Sequence, residues 1–318
     1  MSQAFVKKKR LDIDGVLLLD KPAGISSNDA LIRAKRIMNA KKAGHTGTLD
    51  PFATGLLPIC FGEATKFSQD LLDADKTYET VVHLGISTTT GDTEGEVLKT
   101  SEAVLFSQDE IESALAMFRG DIFQIPPMYS ALKRDGKPLY EYARAGVELE
   151  REARPVTISE LTLLDWESPF LTLRVACSKG TYVRVLGEDI GNALGCGAHL
   201  KALRRIRVGS LGIEKAVSLT DMETAFPEET AARHEKLEPV DYLLSSFPAL
   251  SLNAMLTKRF LNGQRLSLAK EGVQLSDARG RFRIYASDSG IFMGTAQLRE
   301  DGVLAPERLV SLARIPES

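Results

Sequence analysis

The segment Gly44-His45-Thr46-Gly47-Thr48-Leu49-Asp50-Pro51 gathers an acid, an imidazole and two hydroxyls between glycines, with Gly55 close behind. Glycines give such a stretch access to tight turns and strained backbone. Pro51 disfavours helical geometry at Asp50 and pushes it towards an extended conformation, which presents the carboxylate instead of folding it into a helix. An aspartate with a reference pKa near ~3.9 is ionised at neutral pH, so Asp50 is the candidate for chemistry in this loop. The spacing excludes a phosphate loop, since Gly-x-x-x-x-Gly-Lys-Ser/Thr is absent, and no Gly-x-Gly-x-x-Gly follows a strand. Local chemistry alone favours a structural Asx-type turn over a functional loop. Cys60, Cys177 and Cys196 stand far apart, with no Cys-x-x-Cys pair and no regular spacing to a histidine, so neither a disulfide framework nor a metal centre is expected.

The elements that must carry this loop are legible in part. Val16-Leu17-Leu18-Leu19, bounded by Gly15 and by Asp20-Lys21-Pro22-Ala23-Gly24, reads as a buried strand entering a turn. Ser27 is expected to cap a helix from about Asn28 to Met38, with Leu31, Ala34 and Met38 inward and Arg33 and Arg36 outward. Thr80–Leu84 and Leu171–Val175 read as strands, and Ser107 with Glu110 as a capping box. Gln124 to Gly146, with Pro126-Pro127 and Asp135-Gly136, reads as a surface excursion. Val183, Leu186, Ile190 and Leu194 recur at helical spacing. The Glu- and Pro-rich stretch from Glu223 to Pro248 is an expected interdomain segment, followed by a small β-rich domain containing Phe282–Tyr285 and Ile291–Gly294.

A chain of 318 residues exceeds the size at which single cores stop growing, roughly 250 to 300 residues, so two domains are expected. The absence of an apolar run near ~18 residues argues against a membrane span. The unpaired cysteines fit a reducing cytoplasm. A net charge of −3 weighs mildly against nucleic-acid binding, but it averages over faces. Basic residues cluster at Lys7–Arg10, at Arg33, Lys35, Arg36, Lys41 and Lys42, and at Lys201, Arg204, Arg205 and Arg207; acids concentrate at Asp221, Glu223, Glu228, Glu229, Glu235 and Glu238. Charge pattern alone is satisfied by solvated helix faces.

The run Gly44 to Gly55 closely resembles the catalytic motif of the TruB family of tRNA pseudouridine-55 synthases. Five further segments match in the family's order: Leu19–Gly24, Lys76-Thr77-Tyr78, Pro126–Ala131, Lys179–Arg184, and Gly197–Leu200 through Leu203-Arg204-Arg205. The resemblance implies an α+β fold with a mixed, mainly antiparallel central sheet and flanking helices over residues 1–247, with an RNA-binding insertion at about 120–155. A PUA-like RNA-binding domain is implied more weakly over 248–318. It further implies a cofactor-free isomerase that moves the glycosidic link of a T-loop uridine from N1 to C5, with tRNA as its partner, no obligatory protein partner, no membrane and a monomeric state.

Within that resemblance Asp50 takes the nucleophile position, attacking either the uracil ring or the ribose anomeric carbon. Arg184 matches the arginine that pairs with the carboxylate, which predicts a contact between the two. Tyr78 matches a residue that stacks on the target base, Tyr182 a second pocket aromatic, and Leu203 an apolar pocket wall. His45 matches a histidine that fills the gap left by the flipped base, and Lys21 a support of the pocket or its adjoining loop. The basic groups at Lys41, Lys42 and Lys201 to Arg207 become candidate phosphate contacts. Thr89, Phe52 and Ile206 depart from residues common in the family, leaving every proposed catalytic group in place. Three rival readings are a tRNA-folding chaperone built on the same fold, the guide-RNA-dependent relative, and an unrelated hydrolase with an aspartate nucleophile.

Overall fold

The computed structural model describes residues 9–101, 105–225, 233–273 and 279–311. Lys7 and Lys8 of the N-terminal basic cluster, and Glu228 and Glu229 of the acidic segment, lie outside the described residues. In chain order the main body runs β1 (Gly15–Lys21), α1 (Ser27–Ile37), β2 (Ala43–His45), β3 (Thr54–Phe61), α2 (Ser68–Leu72), β4 (Lys76–Leu84), β5 (Ile86–Thr88), β6 (Val97–Thr100), α3 (Gln108–Ala116) and β7 (Gly120–Gln124). It continues with β8 (Lys133–Arg134), β9 (Lys137–Pro138), α4 (Leu139–Arg144), β10 (Arg154–Glu167), β11 (Phe170–Cys177), α5 (Val183–Ala193), β12 (Ala198–Val208), β13 (Leu211–Gly212), β14 (Val217–Ser218) and α6 (Leu219–Ala225).

The central sheet is mixed and mainly antiparallel, as expected. Its order is β14-β1-β3-β12-β4-β11-β10-β7, with β2 beside β3 and β13 beside β12. Only β1 with β14 and β3 with β12 run parallel. The unbroken apolar run of β1 follows from burial on both faces. Leu17 and Leu19 enter the larger core with Ala30, Ala34 and Ile37 of α1. Val16 and Leu18 face the other way, against Leu56, Phe67, Leu243 and Leu244.

Helix α1 begins one residue before the sequence expectation, and Ser26 caps it: its Oγ accepts the Asp29 N–H at 3.0 Å. Ser26 is extended and can reach back to the first turn, whereas Ser27 has already entered the helix and is buried. The capping box of Ser107 and Glu110 forms at the start of α3. In the excursion, Asp135 and Gly136 take φ of 53° and 79° and close the β8–β9 hairpin, the left-handed pair that a two-residue turn requires.

Beyond Pro248, a second sheet of order β15-β17-β18-β19-β16 is built from β15 (Ala249–Leu252), β16 (Leu266–Ser267), β17 (Gly280–Ala286), β18 (Phe292–Leu298) and β19 (Val303–Leu309). With α7 (Ala254–Leu261) it encloses its own core of Leu256, Phe260, Phe282, Ile284 and Leu298. Phe292 meets Phe67 edge-on at 5.4 Å, and Arg281 pairs with Asp70 of α2, which joins this unit to the main body. Among the described residues no helix is long and apolar enough to cross a membrane.

Gly55 sits where β3 comes beside β12, with φ of 104°. A Cβ there would stand 2.3 Å from the Arg205 carbonyl oxygen. Left-handed strain and a backbone clash combine, so Gly55→Ala is expected to cost more than about 3 kcal/mol. Urea unfolding measures this directly, and a loss below about 1 kcal/mol would show that the two strands separate at little expense.

Candidate active site

Asp50 lies in the loop between β2 and β3, where its carbonyl accepts the Ala53 N–H at 3.1 Å. Its Oδ2 is 2.9 Å from Nε of Arg184, in the first turn of α5, so the predicted contact is present. The guanidinium is only 4% exposed, and its remaining nitrogens also have partners: Nη1 donates to the Thr90 carbonyl at 2.8 Å and Nη2 to the Tyr129 carbonyl at 2.7 Å. Those bonds fix one orientation, with Nε aimed at Asp50. A second carboxylate, Asp92, stands 3.6 Å from Nε and is held by the Thr90 hydroxyl at 2.5 Å and the Glu94 N–H at 2.9 Å.

Burial pushes the Asp50 carboxyl above its ordinary value, Arg184 pulls it back, and Asp92 adds to the rise. Asp50 is thus a partly desolvated carboxyl whose ionised form is favoured by its guanidinium partner. Asp50 forms part of the wall of a cleft of about 170 Å³, together with Tyr78 of β4, Tyr182, Arg184, Leu203 of β12 and Ser130. Five of the sequence-predicted residues thus converge from four separate stretches of chain. Burial pushes the Tyr78 phenol up, with Arg205 opposing, which leaves a neutral ring suited to stacking.

Lys21 and His45 do not line the cleft. Lys21 is fully buried behind the loop, where Nζ donates to the carbonyls of Pro22 and Ile25 at 2.8 Å each and of Pro51 at 3.3 Å. Burial pulls its amine down to about 8, partly offset by Asp50. A solvated lysine is thereby ruled out, and a support of the loop is what the geometry provides. His45 pairs with Ile59 across β2 and β3. Its Nδ1 is buried with no hydrogen-bond partner among the described residues, and burial together with Arg205 holds the ring below its ordinary pKa.

Two residues that hold the backbone around the cleft are not legible as such in the sequence. Gln124, placed there at the start of a surface excursion, is 2% exposed: its Oε1 accepts the Tyr182 N–H at 3.1 Å and its Nε2 donates to the Tyr182 carbonyl at 3.4 Å. Its side-chain amide thus pairs with the backbone that presents Tyr182. Arg205, grouped with candidate phosphate contacts, is 1% exposed and donates to the Leu56 carbonyl at 2.8 Å and the Gly47 carbonyl at 3.0 Å, stapling both ends of the Asp50 loop. Arg204 pairs with Asp20 at 2.6 Å. Arg205 is therefore engaged internally and Arg204 is a half-exposed ion-pair partner, while Lys41, Lys42, Lys201 and Arg207 remain exposed. The usable signal was strand alternation, since Leu203 and Arg205 lie two apart on one face of β12.

Glu188, one turn along α5 from Arg184, lies against Gly91: a Cβ built there would stand 2.9 Å from its carboxyl carbon. Burial pushes this carboxyl up to about 7; Arg184 opposes the rise, and Asp189 and Asp92 reinforce it. The folded state then binds the proton more tightly than the unfolded chain, so stability is lost as pH climbs from the ordinary carboxylate range through about 7. Allowing for partial exposure, Glu188→Gln is expected to stabilise the protein by about 1–2 kcal/mol near pH 8 and by nothing near pH 4. Urea titrations at both pH values test this, and a variant no more stable than the parent near pH 8 refutes it.

Comparison with known proteins places this geometry in a lineage. Residues 35–183 match the family model described as TruB family pseudouridylate synthase, N-terminal domain. Residues 184–245 match the tRNA pseudouridylate synthase B C-terminal domain, and 248–310 the C-terminal model of pseudouridine synthase II TruB. A tRNA pseudouridine synthase B of Burkholderia mallei (strain NCTC 10247) is 61% identical over 302 residues, covering 95% of this chain and 98% of that protein. The protein of the same description from Cupriavidus metallidurans is 58% identical over 307 residues, with 95% and 96% covered. Among solved structures, a Cbf5-Nop10-Gar1 complex contains a chain that superposes with a TM-score of 0.70 at 26% identity, over 93% of this chain and 84% of that one. With the motif order, the mixed sheet and the near full-length identity in agreement, the chain belongs to the TruB family of pseudouridylate synthases.

Proposed function

We propose that the protein converts uridine to pseudouridine in tRNA, acting on position 55 of the T-loop, with Asp50 as the nucleophile. The observation that carries the reading is the Asp50–Arg184 pair at 2.9 Å in a cleft walled by Tyr78, Tyr182 and Leu203. Membership of the family, with relatives named tRNA pseudouridine synthase B at 58 and 61% identity, supplies the reaction class.

A stacked loop uridine must be extruded to reach such a cleft, at a cost of a few kcal/mol offset by contacts inside it. Tyr78 offers the flipped ring an aromatic face and Leu203 an apolar wall. Because Oδ2 of Asp50 is taken by Arg184, Oδ1 is the oxygen left for the substrate, at the uracil ring or at C1′ of the ribose. In the overall change the N1–C1′ bond breaks, a C5–C1′ bond forms, the C5 hydrogen leaves as a proton, and N1 gains one. Exposed Lys41, Lys42, Lys201 and Arg207 supply positive charge for the RNA backbone. The unit beyond Pro248 acts as an additional RNA-binding domain, the enzyme works as a cytoplasmic monomer, and no residue of the proposed mechanism calls for a cofactor.

The deciding experiment supplies tRNA carrying tritium at uracil C5 and follows its release to water. Release at position 55 supports the assignment; tight binding with no release leaves a tRNA-folding chaperone.

A further inference from the structure

We infer that Ser27 is a positioning residue for Asp50, acting through the backbone of Leu49. This rests on the reading of Asp50 as the nucleophile. Ser27 is 2% exposed, and Ser26 rather than Ser27 caps α1, so the Ser27 hydroxyl is free of helix-capping duty. It donates to the Leu49 carbonyl at 2.9 Å and accepts the Leu49 N–H at 2.7 Å. One hydroxyl therefore satisfies both backbone polar groups of the residue that immediately precedes Asp50. Leu49 is itself 3% exposed and packed in the larger core, so no solvent stands ready to replace either bond.

The residue on the other side of Asp50 is held by the same turn. The Pro51 carbonyl accepts the Gly24 N–H at 2.8 Å and Nζ of Lys21 at 3.3 Å. Residues 21–27 thus grip the chain on both flanks of Asp50, while Arg184 holds its carboxylate from α5. Arg184 alone fixes only where Oδ2 ends; the backbone grip fixes where Oδ1 points. Without the Ser27 hydroxyl, the Leu49 N–H and carbonyl are left buried and unpaired, and the loop must shift to satisfy them. A displacement of about 1 Å at a reacting group is enough for a loss of about 100-fold in rate.

The test compares the full-length protein with Ser27→Ala and Ser27→Cys; the thiol fills similar space but is a weak donor and acceptor. Both are expected to lower kcat for tritium release by about 100-fold, with KM and Kd for tRNA within about threefold of the parent. The Arg184 Nε–H resonance, identified by its displacement in Asp50→Asn, is expected to move in both. If the alanine variant does not fold, the cysteine variant carries the same expectation. The inference is overturned by a kcat within about threefold of the parent, by an unmoved resonance, or by tRNA affinity falling in step with kcat. The resonance reports on Asp50 whatever reaction the protein performs, so failure of the functional assignment, seen as a parent that releases no tritium, is a separate result.

Discussion

Asp50→Asn is expected to abolish tritium release, by at least about 1,000-fold in kcat, while tRNA binding persists. Asparagine keeps the size of the side chain and loses the anion. Arg184 keeps its bonds to the Thr90 and Tyr129 carbonyls and its proximity to Asp92, so the cleft has no cause to collapse. Burial, the largest influence on Asp50, raises its pKa, so the ionised carboxylate is favoured less by the folded state than by water. The sign follows: the folded chain holds this proton more tightly, and Asp50 costs stability above its ordinary pKa. Asp50→Asn should therefore be no less stable than the parent near pH 8, the usual exchange of stability against a strained functional group. Turnover that survives undiminished in this variant would move the nucleophile elsewhere in the cleft.

Arg184→Met is expected to give the largest loss of stability of any single change at the site. It strands the Asp92 carboxylate, 3% exposed, without its cation, and leaves the Thr90 and Tyr129 carbonyls without donors. Removing one partner of a buried pair costs about 3–5 kcal/mol, against the ~0–1 kcal/mol of an exposed one. The effect on catalysis has a distinct signature. With the guanidinium gone, nothing of comparable strength opposes the burial and Asp92 influences that raise the Asp50 pKa. A smaller fraction of the carboxylate is then ionised at a given pH, so the acid limb of the kcat profile should move to higher pH and part of the lost rate should return in alkali. Arg184→Lys keeps a charge but lacks the planar set of donors that reaches both carbonyls and Asp50 together, and is expected to fall between the two. A pH profile of unchanged shape would mean that Arg184 does not set the ionisation of Asp50.

Much of the fold is legible in local sequence. The β1 run and the capping box at Ser107 each follow from a strictly local rule, and each is present; Asp135-Gly136 reads as a loop, and the structure makes it the turn of a hairpin. The displaced cap of α1 shows the limit of that rule. Two adjacent serines are equivalent by propensity, and only the position of Leu49, 22 residues away in sequence, distinguishes the one that caps from the one that turns inward.

By itself, the amino-acid sequence determined the loop that carries Asp50, the ordered motifs, and a chain of alternating elements large enough for two cores. Charge was what it left undecided. Arg204 and Arg205 look like neighbouring surface cations when read along the chain, yet Arg205 is buried and Arg204 is paired with Asp20, while Lys21 and Arg184 are buried as well. A buried cation is tolerable only where acceptors from distant segments meet it, here the carbonyls of Pro51 for Lys21, Thr90 and Tyr129 for Arg184, and Gly47 and Leu56 for Arg205. Those acceptors come together only in the folded chain, where β1 and β12 flank β3 and α5 brings Arg184 to the Asp50 loop. Tertiary packing is a long-range choice, and it decided which of the basic residues are buried around the Asp50 loop and which stay exposed.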